Sequence, residues 1–367
     1  MYFIKYLLKN QFIFNKNRKI VKNIIGDVMN HEIDLSKYSI RTDLAIDLLD
    51  DSFKKNVIDY DGILVSSIYL DDEKSSLFSK KKGNYITIGF DDVTDSFNQK
   101  KVMSVFCDHV RKLLSDIGIG QSDFCLVVGL GNLNSTPDSL GPGSVDKLVV
   151  TNHLYNLGNL DDGFRRVCSI SPGVTGTTGI ETCDIIKGIV DKVNPDFLIV
   201  IDALASSSLE RVNKTIQITD TGIHPGSGIG NSRREISFET IGKPVIAIGV
   251  PTTVDAVTIV SDTISFMEKH FSYAKNNIDN PINKLIVNGG INYLKKDVFV
   301  SKSDKKELLG LVGNLSDVEV RKLISEVLTP VGYNFMVTPK EIDFVISKLC
   351  DVIGNGLNMA LHSNYKV

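Results

Sequence analysis

The sequence predicts an α/β fold in which a mainly parallel sheet is flanked by helices, with added helical segments near the C-terminus. One observation behind this class is the alternation of short apolar runs with stretches of helical periodicity from residue 85 onward. The other is composition, because 42% of the 367 residues are hydrophobic and 23% are charged, as in globular proteins. The length is sufficient for one large domain or two.

Five short apolar runs are the predicted strands. They are rich in Val, Ile and Phe, which pack well on the pleated surface of a sheet. Helical stretches separate most of them, as expected for crossover connections between parallel strands. The predicted strands are residues 85–90, 124–130, 196–204, 215–220 and 244–251.

The clearest predicted helix lies between the second and third of these strands. From residue 177 to residue 193, apolar side chains recur at the spacing of an amphipathic helix. Thr178 and Glu181 have the spacing of a capping box, in which each side chain bonds to the main chain of the other residue. The sequence therefore predicts that this helix begins after Thr178.

A second capping pattern predicts where the C-terminal helix begins. Thr338 and Glu341 have the capping-box spacing, and Pro339 would occupy the first helical position, where its missing N–H group is not needed. The polar residues 301–317 are predicted to form a surface excursion instead.

Charge and cysteine content restrict the classes of partner. The formal net charge is −3, but residues 1–28 carry six basic side chains and one acidic one, so the remainder is more acidic than the total. An acidic body argues against binding to the phosphates of nucleic acid. The apolar runs are too short or too charged to predict a membrane span. The five cysteines form no CxxC pair, so we expect no disulfide framework, no zinc ribbon and a cytoplasmic location.

The stretch VVGLGNLNSTPDSLGP, residues 127–142, leads from an apolar strand into glycines, as nucleotide-binding turns do. A dinucleotide fingerprint needs a third glycine where the helix packs on the strand, but position 134 is Asn. Pro137 and Pro142 also interrupt the stretch where that helix would already be running. These departures disfavour a nucleotide, and the turn instead delivers Asp138 to the carboxyl edge of the sheet.

A second acid, Asp202, ends an otherwise apolar strand. Carboxyl ends of parallel strands meet at one edge of a sheet, where open α/β folds bind their ligands. If Asp138 and Asp202 reach the same crevice, they form an acid/base pair able to activate water. The alternative from the residues alone is that Asp138 forms a turn and Asp202 caps a structural element.

Glycine-rich loops could add main-chain amides to such a site. Gly131 lies in the turn before Asp138, Gly176 in a Thr-rich loop and Gly226 in a loop that also contains His224. Amides of these loops are predicted to hold an anion, an oxyanion or a substrate carbonyl. The alternatives are a simple helix start for the Thr-rich loop and a mobile surface loop around His224.

Long segments of the chain closely resemble the germination protease family of spore-forming Firmicutes. The similarity runs from about residue 33 to the C-terminal helix and covers nearly the whole chain. Strings of this length are more specific than any short motif. They include GLGNLNSTPDSLGP, SPGVTGTTGIETCDIIKGIVDKVNPDFLIVIDALA and GKPVIAIGVPTTVDAVTI.

The resemblance implies a homotetrameric zymogen of the forespore and spore core. Members of this family trim their own short propeptide and later degrade the small acid-soluble proteins that coat spore DNA, which would be the protein substrate here. Their fold is similar to that of hydrogenase-maturation endopeptidases. Their two catalytic acids match Asp138 and Asp202. The chain has no cysteine pair and no HExxH motif, and two carboxylates alone would hold a divalent ion incompletely, so we expect no metal and no cofactor.

Two other functions remain open at this stage. A metal-dependent endopeptidase would use the same two acids, with His224 as an optional third ligand. A non-catalytic α/β protein that binds a nucleotide or a partner would need neither carboxyl for chemistry. Of these, the two-acid peptidase is the preferred interpretation because of the family resemblance.

The chain departs from the family pattern at two places. Leu133 replaces an aromatic residue in the glycine turn, a change expected to alter packing only. Residues 1–28 have no counterpart in the family, so we expect Met29 to be the true start and the basic leader to be non-native, which mass spectrometry of the native chain would test.

A self-cleavage site can be predicted from the substrate pattern that the resemblance implies. Small acid-soluble proteins are cut after Glu in the order Thr, acid, large apolar residue, Ala, any residue, acid. Residues 42–47 give that order, with Asp43 before Leu44. We therefore expect scission between Asp43 and Leu44, which removes the propeptide 29–43 and leaves a single catalytic domain, 44–367. Because Asp is shorter than Glu, the cut should be slow; the alternative is that this stretch only begins a helix.

Overall fold

The computed structural model describes residues 42–48, 56–78, 80–226, 233–277, 298–328 and 335–366. These residues belong to one unit that extends from position 41 to the C-terminus. The predicted leader and the predicted propeptide up to residue 41 lie outside the described residues, as does the Met29 start.

Nine strands of the described residues join in one sheet; in chain order they are β1 Asn56–Asp59, β2 Leu64–Leu70, β3 Gly83–Gly89, β4 Cys125–Gly129, β5 Val167–Ile170, β6 Phe197–Ser206, β7 Thr215–Thr219, β8 Val245–Asp255 and β9 Met336–Val337. The order across the sheet is β1-β2-β3-β7-β8-β6-β4-β5, and β9 pairs with β8. All five predicted strands are present.

The α/β class with helices flanking a sheet is confirmed, but the sheet is mixed rather than mainly parallel. Parallel pairing is confined to β8, β6, β4 and β5, and the other neighbours run antiparallel. The connection from β6 to β7 explains the change of direction. It contains only one 3₁₀ turn, Leu209–Arg211, and a parallel crossover needs a longer connection.

The helices of the described residues cover both faces of the sheet; they are α1 Asp72–Phe78, α2 Ser96–Asp116, α3 Leu140–Val145, α4 Asn152–Asn156, α5 Thr175–Thr178, α6 Thr182–Val193, α7 Phe238–Ile241, α8 Ala256–Asn276, α9 Lys302–Leu309, α10 Asp317–Leu328 and α11 Ile342–Leu361. Helices α2 and α11 pack against each other and share a buried cluster with one face of the sheet. Helix α6 covers the opposite face. By length and composition α11 could cross a membrane, but most of it is buried within the fold.

Helix α6 begins at Thr182 and not directly after Thr178 as predicted. Thr178 ends α5, and Gly179 follows with a φ of 70°, a left-handed conformation that stops a helix. Helix α6 then begins at Thr182, with Glu181 as its N-cap residue and no side-chain cap. The predicted capping box therefore does not form, because the glycine separates two helices where the sequence pattern suggests one.

The second predicted capping box is also absent. Helix α11 begins at Ile342, after a residue that provides no side-chain cap. The hydroxyl of Thr338 donates instead to the main-chain oxygen of Thr252, over 2.9 Å. A tertiary contact to β8 therefore takes the hydroxyl that the local pattern assigned to the helix.

Residues 301–317 lie mostly at the surface, as predicted, but they form helices, which the sequence pattern did not predict. They form α9 and a 3₁₀ helix, Gly310–Asn314, and a capping box between Ser301 and Asp304 opens α9. Asp304 is buried because α8 supplies its partners, with the Ser272 hydroxyl at 3.2 Å and the Lys275 ammonium at 2.9 Å. A polar sequence thus forms structure here through side-chain bonds rather than apolar burial.

A direct contact between main chains joins α3 to the ends of β4 and β6. A Cβ atom placed on Gly141 would lie 2.2 Å from the Leu130 oxygen and 2.6 Å from the Ile201 oxygen. The Leu130 amide donates to the same Ile201 oxygen over 2.8 Å. Only glycine leaves room for this contact, which fixes α3 on the carboxyl edge of the sheet.

We expect Gly141→Ala to lower the free energy of unfolding by about 3 kcal/mol or more, because rigid main-chain atoms surround the added methyl group. Gly188→Ala, within α6, is the matched control. No atom lies within 4 Å of its added Cβ, so it should stabilise the protein by about 0.5–1 kcal/mol. Urea unfolding of both variants measures the difference, and equal stabilities would contradict the packing argument.

Candidate active site

A tightly held turn positions Asp138 beyond the end of β4. The Asn132 amide lies 3.0 Å from the Asp138 main-chain oxygen and 2.9 Å from its Oδ2, so one N–H group points at both acceptors. Thr252 Oγ1 donates to the Pro137 oxygen over 2.7 Å. A Cβ on Gly131, whose φ is 114°, would lie 2.0 Å from the Asp138 oxygen. Glycine is therefore required for the turn to close around the acid.

Asp202 lies within β6, where burial is nearly complete. Only 6% of the residue is exposed, and it stands in register with Gly249 of β8. Its Oδ1 accepts the Ala203 amide over 2.9 Å. The preceding residues of β6 are all buried and apolar, so the strand places this carboxyl group in an environment made for hydrocarbon.

Both acids line one open crevice of about 360 Å³ at the carboxyl end of the parallel strands. Asp43 lines it as well, together with Arg233 from the loop that follows β7. The crevice therefore contains three carboxyl groups and one guanidinium group. Its position agrees with the ligand-binding edge of open α/β sheets.

Burial and mutual repulsion favour the protonated forms of this pair. Burial raises the pKa of Asp138, against the opposing effects of the Asn132 amide and the charge of Arg233. The pKa of Asp202 is raised well above its usual range, first by burial and then by the negative charges of Asp138 and Asp43. Two carboxyl groups in such an arrangement hold a proton between them more readily than two charges.

The predicted cleavage segment lies across the face of the sheet beside this crevice. The Asp43 amide donates to the Ala205 oxygen over 3.0 Å, and the Ala205 amide donates to Asp43 Oδ2 over 2.9 Å. Leu44 is fully buried. The Ala45 amide donates to the Gln217 side chain over 2.7 Å. The segment therefore spans from β6 to β7 and passes the crevice with Asp43.

Asp47 anchors the same segment from its other end. Its Oδ2 accepts the Thr42 hydroxyl over 2.6 Å, the Ser206 hydroxyl over 3.1 Å and the Ser207 amide over 2.9 Å. Its Oδ1 lies 2.6 Å from Arg211 Nε. This buried carboxylate ties residues 42 and 47 to the end of β6.

The family profile described as Germination protease matches residues 39–367. The chain belongs to the germination protease family. Membership makes it a hydrolase of the protease class that is associated with germination. The match covers the whole of the described unit, so it includes both acids and the segment beside them.

Curated germination proteases resemble the chain along most of their length. The protein from Bacillus licheniformis is 48% identical over 91% of this chain and 96% of its own. The Priestia megaterium protein is 46% identical with the same coverages. The Bacillus pumilus protein is 48% identical over 90% of this chain and 95% of its own.

Among solved structures, part of the chain is similar to the nickel–iron hydrogenase maturation protease HycI from Thermococcus kodakarensis. The two chains are 18% identical with a TM-score of 0.25, and the match covers 38% of this chain and 80% of that one.

The structure brings two of the three predicted glycines of this germination protease to the crevice. Gly131 and Gly226 line it, and each has a positive φ. Gly176 does not, because it lies inside α5 with open space around it. The Thr-rich loop contributes Gly173 and Val174 instead. The predicted loop therefore reaches the crevice, through residues that precede Gly176.

His224 is not among the residues that line the crevice. Its Nε2 lies 2.7 Å from Glu235 Oε2, and that acid also binds Lys81. The Nε2 atom of the imidazole is therefore paired with Glu235 and not with either acid of the crevice. Within the described ranges, no three His, Cys, Asp or Glu side chains have the arrangement of a metal site.

Sequence reasoning missed three side chains near the site of this germination protease. Arg233 faces both acids, while Lys80 and Gln217 contact the cleavage segment. For Gln217 a signal was present, because it alternates with isoleucines in β7 and therefore gives one face of a buried strand a polar side chain. The two adjacent arginines of the 220–236 loop were the signal for Arg233.

The raised pKa of Asp202 predicts how stability depends on pH. Because the native state binds this proton more tightly than the unfolded chain does, stability should fall as pH rises from 3.8 through the raised pKa. Asp202→Asn should remove this loss. Its free energy of unfolding should therefore rise relative to that of the wild type by up to about 1.4 kcal/mol for each pH unit of that interval. Urea unfolding between pH 4 and pH 8 measures it; a stability difference independent of pH would contradict the prediction.

Proposed function

We propose that the chain is a self-activating endopeptidase of the atypical aspartic type, in which Asp138 and Asp202 activate one water molecule. The observation that carries this proposal is the juxtaposition of a nearly inaccessible acid, Asp202, with Asp138 in one crevice. A structural cap has no need of burial beside a second carboxyl group. A general acid/base pair does, because its two members must hold different protonation states.

The environments of the two acids suggest their roles. Asp202 is the more deeply buried and carries the proton before reaction, since both burial and the charge of Asp138 disfavour its ionised form. Asp138 is more accessible and accepts the proton of the attacking water. Asp202 then supplies a proton to the departing nitrogen, and the pair returns to its starting state once the two exchange a proton.

The placement of that segment supports self-cleavage between Asp43 and Leu44. Asp43 lines the crevice with both acids, and residues 42–44 lie in no helix or strand, with a bend at Asp43. A groove that binds a peptide substrate would accept this stretch as an internal copy of one. We therefore retain the propeptide boundary after residue 43.

For the substrate and the assembly, the proposal rests on family membership. The expected substrates are the small acid-soluble spore proteins, which share the acid-apolar-Ala order of residues 43–45. The enzyme is expected to act as a homotetramer in the forespore and spore core, without nucleic acid, membrane or cofactor.

If the two acids act as one unit, Asp138→Asn and Asp202→Asn should each lower self-cleavage and substrate cleavage by about 10³-fold or more, and the double variant should be no worse. Asp196→Asn is the matched control, because Asp196 lies just before the amino end of the same strand, where its side chain accepts the Phe124 amide. Mass spectrometry of the full chain, with and without a small acid-soluble protein, gives both rates. Near-normal activity of Asp202→Asn would refute the proposal.

We also expect both activities to survive exhaustive chelation, because no step of the proposed reaction uses a metal ion. Incubation of the full chain with EDTA, followed by the same mass measurement, checks this. Loss of both activities and their recovery with one particular divalent metal would establish the metal-dependent alternative instead.

A further inference from the structure

The carbonyl oxygen of the proposed scissile bond already has two hydrogen-bond donors. Lys80 Nζ lies 3.1 Å from the Asp43 oxygen, and Gln217 Nε2 lies 3.3 Å from it. One donor is a cation and the other a neutral amide, and they come from different elements. Two convergent donors on a carbonyl are what an oxyanion site provides.

Gln217 holds the segment on both sides of Leu44. Its Nε2 donates to the Asp43 oxygen, and its Oε1 accepts the Ala45 amide over 2.7 Å. The residue is in register with Gly249, which is in register with Asp202 on the next strand. Side chains in register point to the same face of a sheet. Gln217 and Asp202 therefore face the segment from one side, two strands apart.

The main chain of Lys80 is held by Ser75, in the middle of α1. The Ser75 hydroxyl donates to the Lys80 oxygen over 2.6 Å, and the Ser75 oxygen accepts the Lys80 amide over 3.3 Å. Burial lowers the pKa of Lys80, and the charges of Asp43 and Asp47 oppose this effect. A half-buried ammonium group bound to a neutral carbonyl is only partly compensated. The attraction between the Lys80 ammonium group and the Asp43 oxygen becomes stronger when that oxygen carries a negative charge.

We propose that Lys80 and Gln217 form the oxyanion site for peptide cleavage, in place of main-chain amides of the glycine-rich loops. This inference rests on the proposed function, because it takes Asp43–Leu44 as the scissile bond. The same two side chains would then serve substrate proteins, whose acid residue would occupy the place of Asp43.

The step balances with these residues and one water. The water oxygen bonds to the Asp43 carbonyl carbon while its proton passes to Asp138, and the π-electron pair moves to the carbonyl oxygen. Lys80 and Gln217 hold the negative oxygen. When the electron pair returns, the bond between the Asp43 carbon and the Leu44 nitrogen breaks, and that nitrogen takes the Asp202 proton. Neither acid is then needed to polarise the carbonyl.

Two substitutions test the assignment in the full chain. Gln217→Glu keeps an acceptor for Ala45 but replaces the donor to Asp43 with an oxygen, and Lys80→Met removes the charge at similar length. Each should lower the first-order rate of self-cleavage by about 10²–10³-fold, the usual effect of one oxyanion donor. Matched controls are Gln121→Glu, which loses a donor to Leu361, and Lys81→Met, which loses its pairing with Glu235; both should cleave within about threefold of wild type.

Hydrogen exchange separates this role from a merely structural one. In Gln217→Glu the Ala45 amide should remain protected, because its acceptor is retained, while the cleavage rate falls. Suppose instead that Gln217 and Lys80 only hold the segment in place. The substitution would then lead to cleavage at the wild-type rate or faster, and that result would overturn the inference.

A second measurement uses an added peptide with the order Thr-Glu-Leu-Ala. After long incubation the variants that have processed themselves are assayed for its cleavage. We expect kcat to fall by about 10²-fold with KM within about threefold, because the donors act on the transition state. A change in KM alone would assign the two side chains to substrate binding and overturn the inference.

Different results would contradict the proposed cleavage site and the proposed oxyanion site. If N-terminal sequencing of the wild-type product finds a start far from Leu44, the proposed cleavage site is wrong and this inference falls with it. If the wild type does begin at Leu44 and needs both acids, but Lys80→Met and Gln217→Glu cleave normally, only the oxyanion assignment is wrong.

Discussion

The contact of Gly141 with the main chains of Leu130 and Ile201 is the constraint on which the crevice depends. Because no side chain separates them, α3 lies directly on the ends of β4 and β6, and the turn before it folds back over the sheet. That closeness brings Asp138 into the electrostatic range of Asp202. The raised pKa of each acid follows from burial, which the same packing produces. The close packing at Gly141 thus contributes to the raised pKa values of Asp138 and Asp202.

The sequence was sufficient to predict the fold class and the meeting of the two acids. Asp138 and Asp202 follow apolar strands, and the carboxyl ends of parallel strands share an edge, so their proximity was one of two alternatives, and the family resemblance favoured it. The sequence did not predict that β7 runs antiparallel to its neighbours. The direction of β7 depends on the short β6–β7 connection, and the apolar pattern of a strand does not indicate its direction.

What could not be predicted depends on contacts between residues distant in sequence. Lys80 and Asp43 are 37 positions apart in the sequence, and Gln217 and Ala45 are 172 positions apart. No local sequence pattern therefore indicates either contact. The two helix starts failed for a related reason. Thr338 has the right spacing for a cap, but its hydroxyl is bound to Thr252 of β8, and local spacing does not report a competing tertiary acceptor.

The anchoring of Asp47 bears on the reversibility of activation. On the proposed scission, residues 45–47 stay bound through Gln217 and Asp47, so the new amino terminus does not diffuse away. The new carboxyl terminus at Asp43 is also held, because the Ala205 amide donates to the Asp43 side chain and the Thr42 hydroxyl donates to Asp47. Two ends kept at high effective concentration can rejoin. Hydrolysis alone would then leave an equilibrium, and departure of the short acid end would be the step that makes activation permanent.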